Sequence, residues 1–450
     1  MEGDFPIMFR SSFLFSNITL VLFAAVLALA TAATTVTVED ANRQTSFFVL
    51  CYALSTLIIT INYKKISAQS EFFYFQSFYP VLIFFAILIS NEVLFHGTDK
   101  VPLLISYFVG TALLSIFIPL LASEKDDIFV GLARMVVIIS APLVIPAIWG
   151  AMGNEHFLGL AMHNKAYYAK YSSIVASSGV MDFPETFGAQ LAFAFVCGIY
   201  LIQRSARPYL WIGAVALITV GLIISQARAA ILGTVVAMGV VTVASRVRIH
   251  PALVVVLCCI AITAPIYALN LIELLPGAKT FLRSSTGLSG REGAWDFGVR
   301  LIAEKPLQGY GASAAQDYTE RYASYLRSNN FKAAGAGFHN TFLTRAFDNG
   351  ILSAASYLAI FLIAMRRAAG KIQFSPEARL VFSAIVVALA ITTYRDINAG
   401  GMRSITVLVS VFLGLGLLCG IRRSIPLAKA SSYSRRTHDK PAAIRPDFAK

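Results

Sequence analysis

Charge is what this sequence has least of: 14% of its 450 residues are Asp, Glu, Lys or Arg, while 57% are hydrophobic. A composition so poor in solvated side chains excludes a string of soluble domains. Cysteine is also scarce. Cys51, Cys197, Cys258, Cys259 and Cys419 all fall in apolar runs, their number is odd, and no pair has zinc-ligand spacing. No disulfide framework or structural zinc site is therefore expected, and the five read as small buried hydrophobes. Negative charge is the scarcer sign, with 24 acids against 37 Lys and Arg and a net charge of +13. This surplus does not point to nucleic acid. Much of it lies after Gly420, in Arg422, Arg423, Lys429, Arg435, Arg436, Lys440, Arg445 and Lys450, with no aromatic stacking pattern beside it. Such a tail is an ordinary feature of the cytoplasmic side of a membrane protein, where it can also hold anionic membrane lipids.

What the chain has in abundance is long hydrophobic runs. A helix needs about 20 apolar residues to cross the hydrocarbon core. Twelve runs approach that length: 12–34, 47–63, 73–95, 101–121, 129–150, 186–203, 208–225, 229–245, 250–270, 341–365, 377–394 and 402–420. Backbone amides in lipid must bond within their own segment, so the expected fold is an all-α polytopic integral membrane protein of about 12 transmembrane helices. The first run has no small-residue cleavage site after a short core and reads as a retained helix. Basic residues gather at Lys64-Lys65, Lys125, Arg204, Arg207, Arg246, Arg248, Arg366, Arg367 and Lys371. That side is expected to be cytoplasmic together with both termini, leaving 151–185 and 271–340 facing out. The organisation expected is an N-terminal helical region with its outer loop (1–185), a second helical region holding the large helical loop (186–420), and a basic cytoplasmic tail (421–450).

The long outer loop carries the chemistry-bearing residues. Ser289-Gly290-Arg291-Glu292 fits a capping box, serine at the N-cap and glutamate three residues on. Trp295, Val299 and Ile302 then share one stripe, and Pro306 stops the helix near Lys305. Arg291, in the first turn, adds a planar cation to amides that already favour an anion. Arg228 follows Ser225-Gln226-Ala227 between two apolar runs with almost no loop to carry it. An arginine at membrane depth costs about 2.5–3.5 kcal/mol on insertion scales. It is either a snorkelling anchor or a phosphate ligand facing a cavity. His339 is the sole histidine of the loop, after the flexible run 333–337 and beside Asn340. Histidine, titrating near pH 6.5, can take a proton from a sugar hydroxyl. Glu292 and Asp296 compete for that role, and Arg395 is a third candidate cation. Arg345 and Asp348 are expected to pair and seat the next helix. No metal site and no cofactor are expected.

Taken in order, Ser225-x-x-Arg228, Ser289-Gly290-Arg291 with Trp295, Pro306-x-x-Gly309-x-Gly311, His339-Asn340 and Gly350 resemble the O-antigen ligase family, which includes O-antigen and exopolysaccharide polymerases. The likeness spans about Ser225 to Gly350, with a weaker match where Phe183-Pro184-Glu185-Thr186-Phe187-Gly188 opens a span. It implies a bacterial inner-membrane, multi-pass glycosyltransferase working at the periplasmic face, metal-independent and inverting. Its donor would be an undecaprenyl-diphosphate-linked glycan and its acceptor lipid A-core or a polysaccharide. By position, Arg228 and Arg291 would bind the donor diphosphate and His339 would activate the acceptor. Family polymerases often show an arginine, ten residues and a glycine, a spacing met once here by Arg300 and Gly311. That makes Arg300 a secondary candidate beside Arg395 and Asp296, and leaves a repeat-unit polymerase as the alternative to a ligase. A twelve-helix transporter is the rival class, disfavoured by the lack of a repeat relating the two halves.

Overall fold

The long apolar runs of this chain form helices, because a helix is the form in which an apolar segment satisfies its own amides in lipid. The computed structural model describes residues 22–32, 50–51, 53–54, 57, 76–112, 114–115, 126–158, 160–162, 164–165, 176–181, 183–272, 291–328, 337–395 and 404–419. In order, the helices are α1 (Leu22–Ala32), α2 (Tyr79–Phe95), α3 (Val101–Ala112), α4 (Asp126–Ser140), α5 (Val144–Ala151), α6 (Pro184–Arg204), α7 (Pro208–Ser225), α8 (Arg228–Arg246) and α9 (Pro251–Ile272). There follow α10 (Arg291–Glu304), α11 (Ala314–Arg321), α12 (Ala323–Ser328), α13 (Thr341–Ala369), α14 (Pro376–Tyr394) and α15 (Ser404–Leu418). Among the described residues, strand is confined to two short hairpins, His156–Phe157 with Leu160–Ala161 and Asn164–Lys165 with Ala176–Ser177.

The protein is a polytopic all-α membrane protein. Among the described residues six helical segments are long and apolar enough to span: Phe129–Ala151, Pro184–Arg204, Pro208–Ser225, Arg228–Arg246, Thr341–Ala369 and Pro376–Tyr394. The shorter apolar helices α1, α2, α3 and α15, and the described part of α9, fall inside further expected runs. The run at 47–63 and the tail after Cys419 lie mostly or wholly outside the described residues.

Helices α6, α8 and α14 set the direction of the bundle. Prolines open α6 and α14, where the missing N–H is one no helix would use. At one end, Tyr200 Oη donates to Glu377 Oε1 at 3.1 Å, Arg204 pairs with the same oxygen at 3.3 Å, and Gln373 Nε2 donates to Val247 O. Nearer the other end, a Cβ on Gly233 would lie 2.9 Å from Ala390 Cβ, and one on Gly188 would lie 2.3 Å from Ala227 Cβ. α14 therefore runs antiparallel to both α6 and α8. The start of α6, the α7–α8 turn and the end of α14 meet at one end of the bundle.

Helix α13 departs from the straight span that its run of hydrophobicity suggests. Phe342 packs against Tyr357 at 5.8 Å and Phe361 at 5.9 Å between ring centroids. In a straight helix rising 1.5 Å per residue those pairs would be about 22 and 28 Å apart. The chain bends at Asn349 (φ −127°) and Gly350 (φ +79°, ψ 166°), folding the first half back towards the second. The first half then joins a cap. Ala346 and Phe347 share a buried cluster with Ala294 and Ile302 of α10, Ala314 and Ala315 of α11, Leu326 of α12, and Phe338.

Candidate functional site

The cap is locked onto the bend by backbone hydrogen bonds. Ile351 N donates to Pro306 O at 2.8 Å, Tyr310 N to Phe347 O at 2.9 Å and Gly311 N to Asp348 O at 2.8 Å. Two glycines make that approach feasible. A Cβ on Gly350 would lie 2.0 Å from Leu307 O, and one on Gly309 would lie 2.5 Å from Asp348 O, with both residues at positive φ. A side chain at either position would drive the cap off the bend. Asp348 is spent on this junction, accepting from Ala315 N at 2.8 Å. This overturns the expected Arg345–Asp348 pair: Arg345 is buried, and among the described residues its Nε has no hydrogen-bond partner.

The end of α2 grips the same loop. Asn91 Nδ2 donates to Leu307 O at 2.9 Å, and His96 Nε2 lies 2.9 Å from Gln308 O, which requires that nitrogen to carry the proton. Glu92, 2% exposed, accepts from Ala312 N at 3.0 Å and from Asn349 Nδ2 at 3.4 Å. These residues were not among the sequence candidates. The signal was available, since Glu92 is the one charged residue in the 73–95 run. Within the cap, the Tyr310 hydroxyl donates to Leu301 O and Glu304 Oε2, and burial, aided by the Glu304 carboxylate, pushes its phenol up to about 12.

On this platform stand two of the leading candidates, Arg291 and His339, together with the secondary candidate Arg395. Arg291 is the first residue of α10, whose continuation presents Trp295. Trp295 Nε1 donates to Phe338 O at 2.8 Å, so the helix bearing Arg291 is tied to the peptide immediately before His339. His339 itself adopts a left-handed conformation (φ +52°). Asn340 then caps α13, its Oδ1 accepting from Leu343 N at 3.0 Å. The Trp295 ring lies 6.5 Å from that of Tyr394, and the Arg291 charge acts on the Tyr394 phenol. Thr341 Oγ1 donates to Arg395 O at 2.7 Å, which sets Arg395 beside the His339 turn. The Arg395 guanidinium sits over the Phe183 ring at 5.9 Å, next to the start of α6.

Arg228 joins this end of the bundle from below. It is the first residue of α8, after a turn in which Gln226 is left-handed and Ser225 Oγ accepts from Ala227 N at 3.2 Å. The approach of Gly188 to Ala227 places that turn beside the start of α6, and so near Phe183 and Arg395. Arg228, Arg291, His339 and Arg395 are each half-buried, with side chains neither free in solvent nor sealed away.

Two of the secondary candidates, Asp296 and Arg300, sit elsewhere. Asp296 and Arg300 bond to each other at 2.7 Å on an exposed face of α10, their side chains 62% and 73% exposed. The expected stripe on this helix is rotated: Val299 is 55% exposed, while Ala294 and Ile302 are buried and Trp295 half-buried. Ser289, Gly290 and the Glu292 side chain, hence the expected capping box, lie outside the described residues, as do Tyr167, Tyr168 and Tyr171. Among the described residues no three His, Cys, Asp or Glu side chains gather as metal ligands.

Comparison with protein families matches residues 212–358 to the O-antigen ligase model. That segment holds Arg228, Arg291 and His339 and ends beyond the bend in α13. No curated protein matches the chain. The match supports ligase- or polymerase-type work in polysaccharide synthesis by a glycosyltransferase-like membrane enzyme, with lipid-linked glycans as its general class of substrate.

Proposed function

We propose, from the match of residues 212–358 to the O-antigen ligase model, that the protein transfers a glycan from an undecaprenyl-diphosphate-linked donor to an acceptor hydroxyl at the periplasmic face of the inner membrane. The observation that carries this reading is the Trp295–Phe338 hydrogen bond, which couples the helix bearing Arg291 to the turn bearing His339 at the bundle end where Arg228 and Arg395 lie. Arg228 and Arg291 hold the diphosphate. The acceptor oxygen attacks the anomeric carbon from the face opposite the diphosphate, inverting that centre. As the new C–O bond forms, the bond to the diphosphate oxygen breaks, its electron pair stays with the carrier lipid, and the acceptor proton passes to His339. Charge on the leaving diphosphate grows along this path, so fixed guanidinium groups favour the transition state over the ground state. Two arginines fill the role that a divalent cation would otherwise serve.

The basic loops at the far end of the bundle, Arg204, Arg207, Arg246, Arg248, Arg366 and Arg367, support a cytoplasmic assignment for that end and a periplasmic one for the site. The test gives purified protein a carrier-linked glycan and a choice of acceptors. Arg291→Ala and His339→Ala are each expected to slow transfer by about 100-fold or more, with membrane insertion unchanged. Product on lipid A-core identifies a ligase, and longer carrier-linked chains identify a polymerase. Normal transfer by Arg291→Ala would sink the diphosphate assignment.

A further inference from the structure

The bend in α13 buries one cationic side chain, Arg345. Arg345 stands three residues after Phe342 and shares its helix face. That face is folded onto the second half of the helix, where Phe342 meets Tyr357 and Phe361. The guanidinium is thus turned into the elbow between the halves, and its charge acts on the Tyr357 phenol. Arg345 is 6% exposed, and among the described residues its Nε has no hydrogen-bond partner. Ser353 lies one turn before Tyr357 on the opposing wall. It is fully buried, and its hydroxyl also has no partner. The nearby carboxylates are turned to the cap: Glu92 takes the Ala312 amide and Asn349, and Asp348 takes the Ala315 amide.

Burying an arginine away from counter-charge is costly, so an anion that reaches Arg345 is held favourably there. The planar fork of arginine matches phosphate oxygens, and at the membrane edge the phosphates within reach are those carried by lipids. We infer that the α13 elbow binds a lipid-borne phosphate through Arg345, with the Ser353 hydroxyl donating to the same group. The phosphate belongs either to the carrier-linked donor, in which case the inference rests on the function proposed above and extends its binding site inward, or to a bilayer phospholipid.

Wild-type, Arg345→Met and Arg345→Lys proteins in detergent micelles would be titrated with undecaprenyl diphosphate and, separately, with phosphatidylglycerol. Arg345→Met is expected to lose about 10-fold or more in affinity for one of these lipids, and Arg345→Lys to retain part of it. Lipid-free Arg345→Met is expected to unfold at or above the wild-type temperature, since it removes an unpaired buried charge. Loss confined to undecaprenyl diphosphate assigns the phosphate to the donor. Loss confined to phosphatidylglycerol assigns it to the bilayer and leaves the elbow site standing without the donor. Unchanged affinity for both lipids overturns the inference. So does a lower unfolding temperature for lipid-free Arg345→Met, which is the behaviour of a structural ion pair. Failure of the proposed function looks different: wild-type protein then leaves a carrier-linked glycan intact, whatever the Arg345 variants bind.

Discussion

Replacing Trp295 with Phe tests the coupling between the two halves of the site while leaving most of the packing in place. The substitution keeps an aromatic ring near Tyr394, whose own ring lies 6.5 Å away, and deletes the 2.8 Å bond from Nε1 to Phe338 O. Phe338 is fully buried, so its carbonyl loses a partner that water is poorly placed to replace. An unsatisfied buried acceptor costs about 1–3 kcal/mol. His339 is the next residue and sits at φ +52°, a conformation that costs a non-glycine residue about 1–2 kcal/mol and persists only where its surroundings hold it. Once Phe338 is released, the turn can relax and carry the imidazole away from Arg291. A penalty of about 1–3 kcal/mol on the productive geometry is a loss of about 5- to 150-fold in transfer rate. The assay is glycan transfer in reconstituted vesicles, with thermal unfolding and insertion measured on the same preparation. A folded Trp295→Phe protein that transfers at the wild-type rate would refute the coupling.

Gly350→Ala is expected to destabilise the cap far more than a typical surface change, because its Cβ would lie 2.0 Å from Leu307 O at a positive φ; limited proteolysis between residues 291 and 328 should accelerate while the bundle stays intact. Glu92→Ala strips the Ala312 amide and Asn349 of their shared acceptor and should lower stability by about 1–3 kcal/mol. Glu92→Gln, which keeps an acceptor oxygen, should lose less, and equal losses in thermal unfolding would show that the hydrogen bonds are not what matters. Arg300→Ala removes an exposed i, i+4 pair of a kind worth about 0.3–0.5 kcal/mol. It should leave transfer unchanged, and a large drop in rate would return Arg300 to the site.

The membrane class and the helical fold were legible because each follows from local composition: a long apolar run has to become a helix whatever surrounds it. The end of α10 could be read from Pro306 for the same reason. Arg228, Arg291 and His339 stood out as cations and a histidine at the edges of apolar segments, and the structure places all three near one end of the bundle. Val299 was read wrongly because helical spacing identifies several candidate stripes on α10, and only the position of Phe338 and the first half of α13 selects the buried one. Arg345 and Asp348 were paired on spacing alone, yet Asp348 is three residues away in a helix and the Ala315 amide reaches it from another element.

The sequence by itself determined that the chain is a polytopic helical membrane protein and which polar residues stand at the margins of its apolar runs, since these depend on the transfer free energy of each residue and its immediate neighbours. Tertiary structure alone decided the bend at Asn349–Gly350, the grip of Asn91, Glu92 and His96 on the 306–312 loop, and the burial of Arg345 in the elbow. In the case of α2 and the cap, the Asn91 and Glu92 side chains meet backbone groups more than 200 residues away, while the bend is held to the cap by backbone bonds. A peptide group is the same at nearly every position, so the sequence does not name the side chain or backbone that will meet it, and a close approach of two backbones leaves only a glycine as its trace.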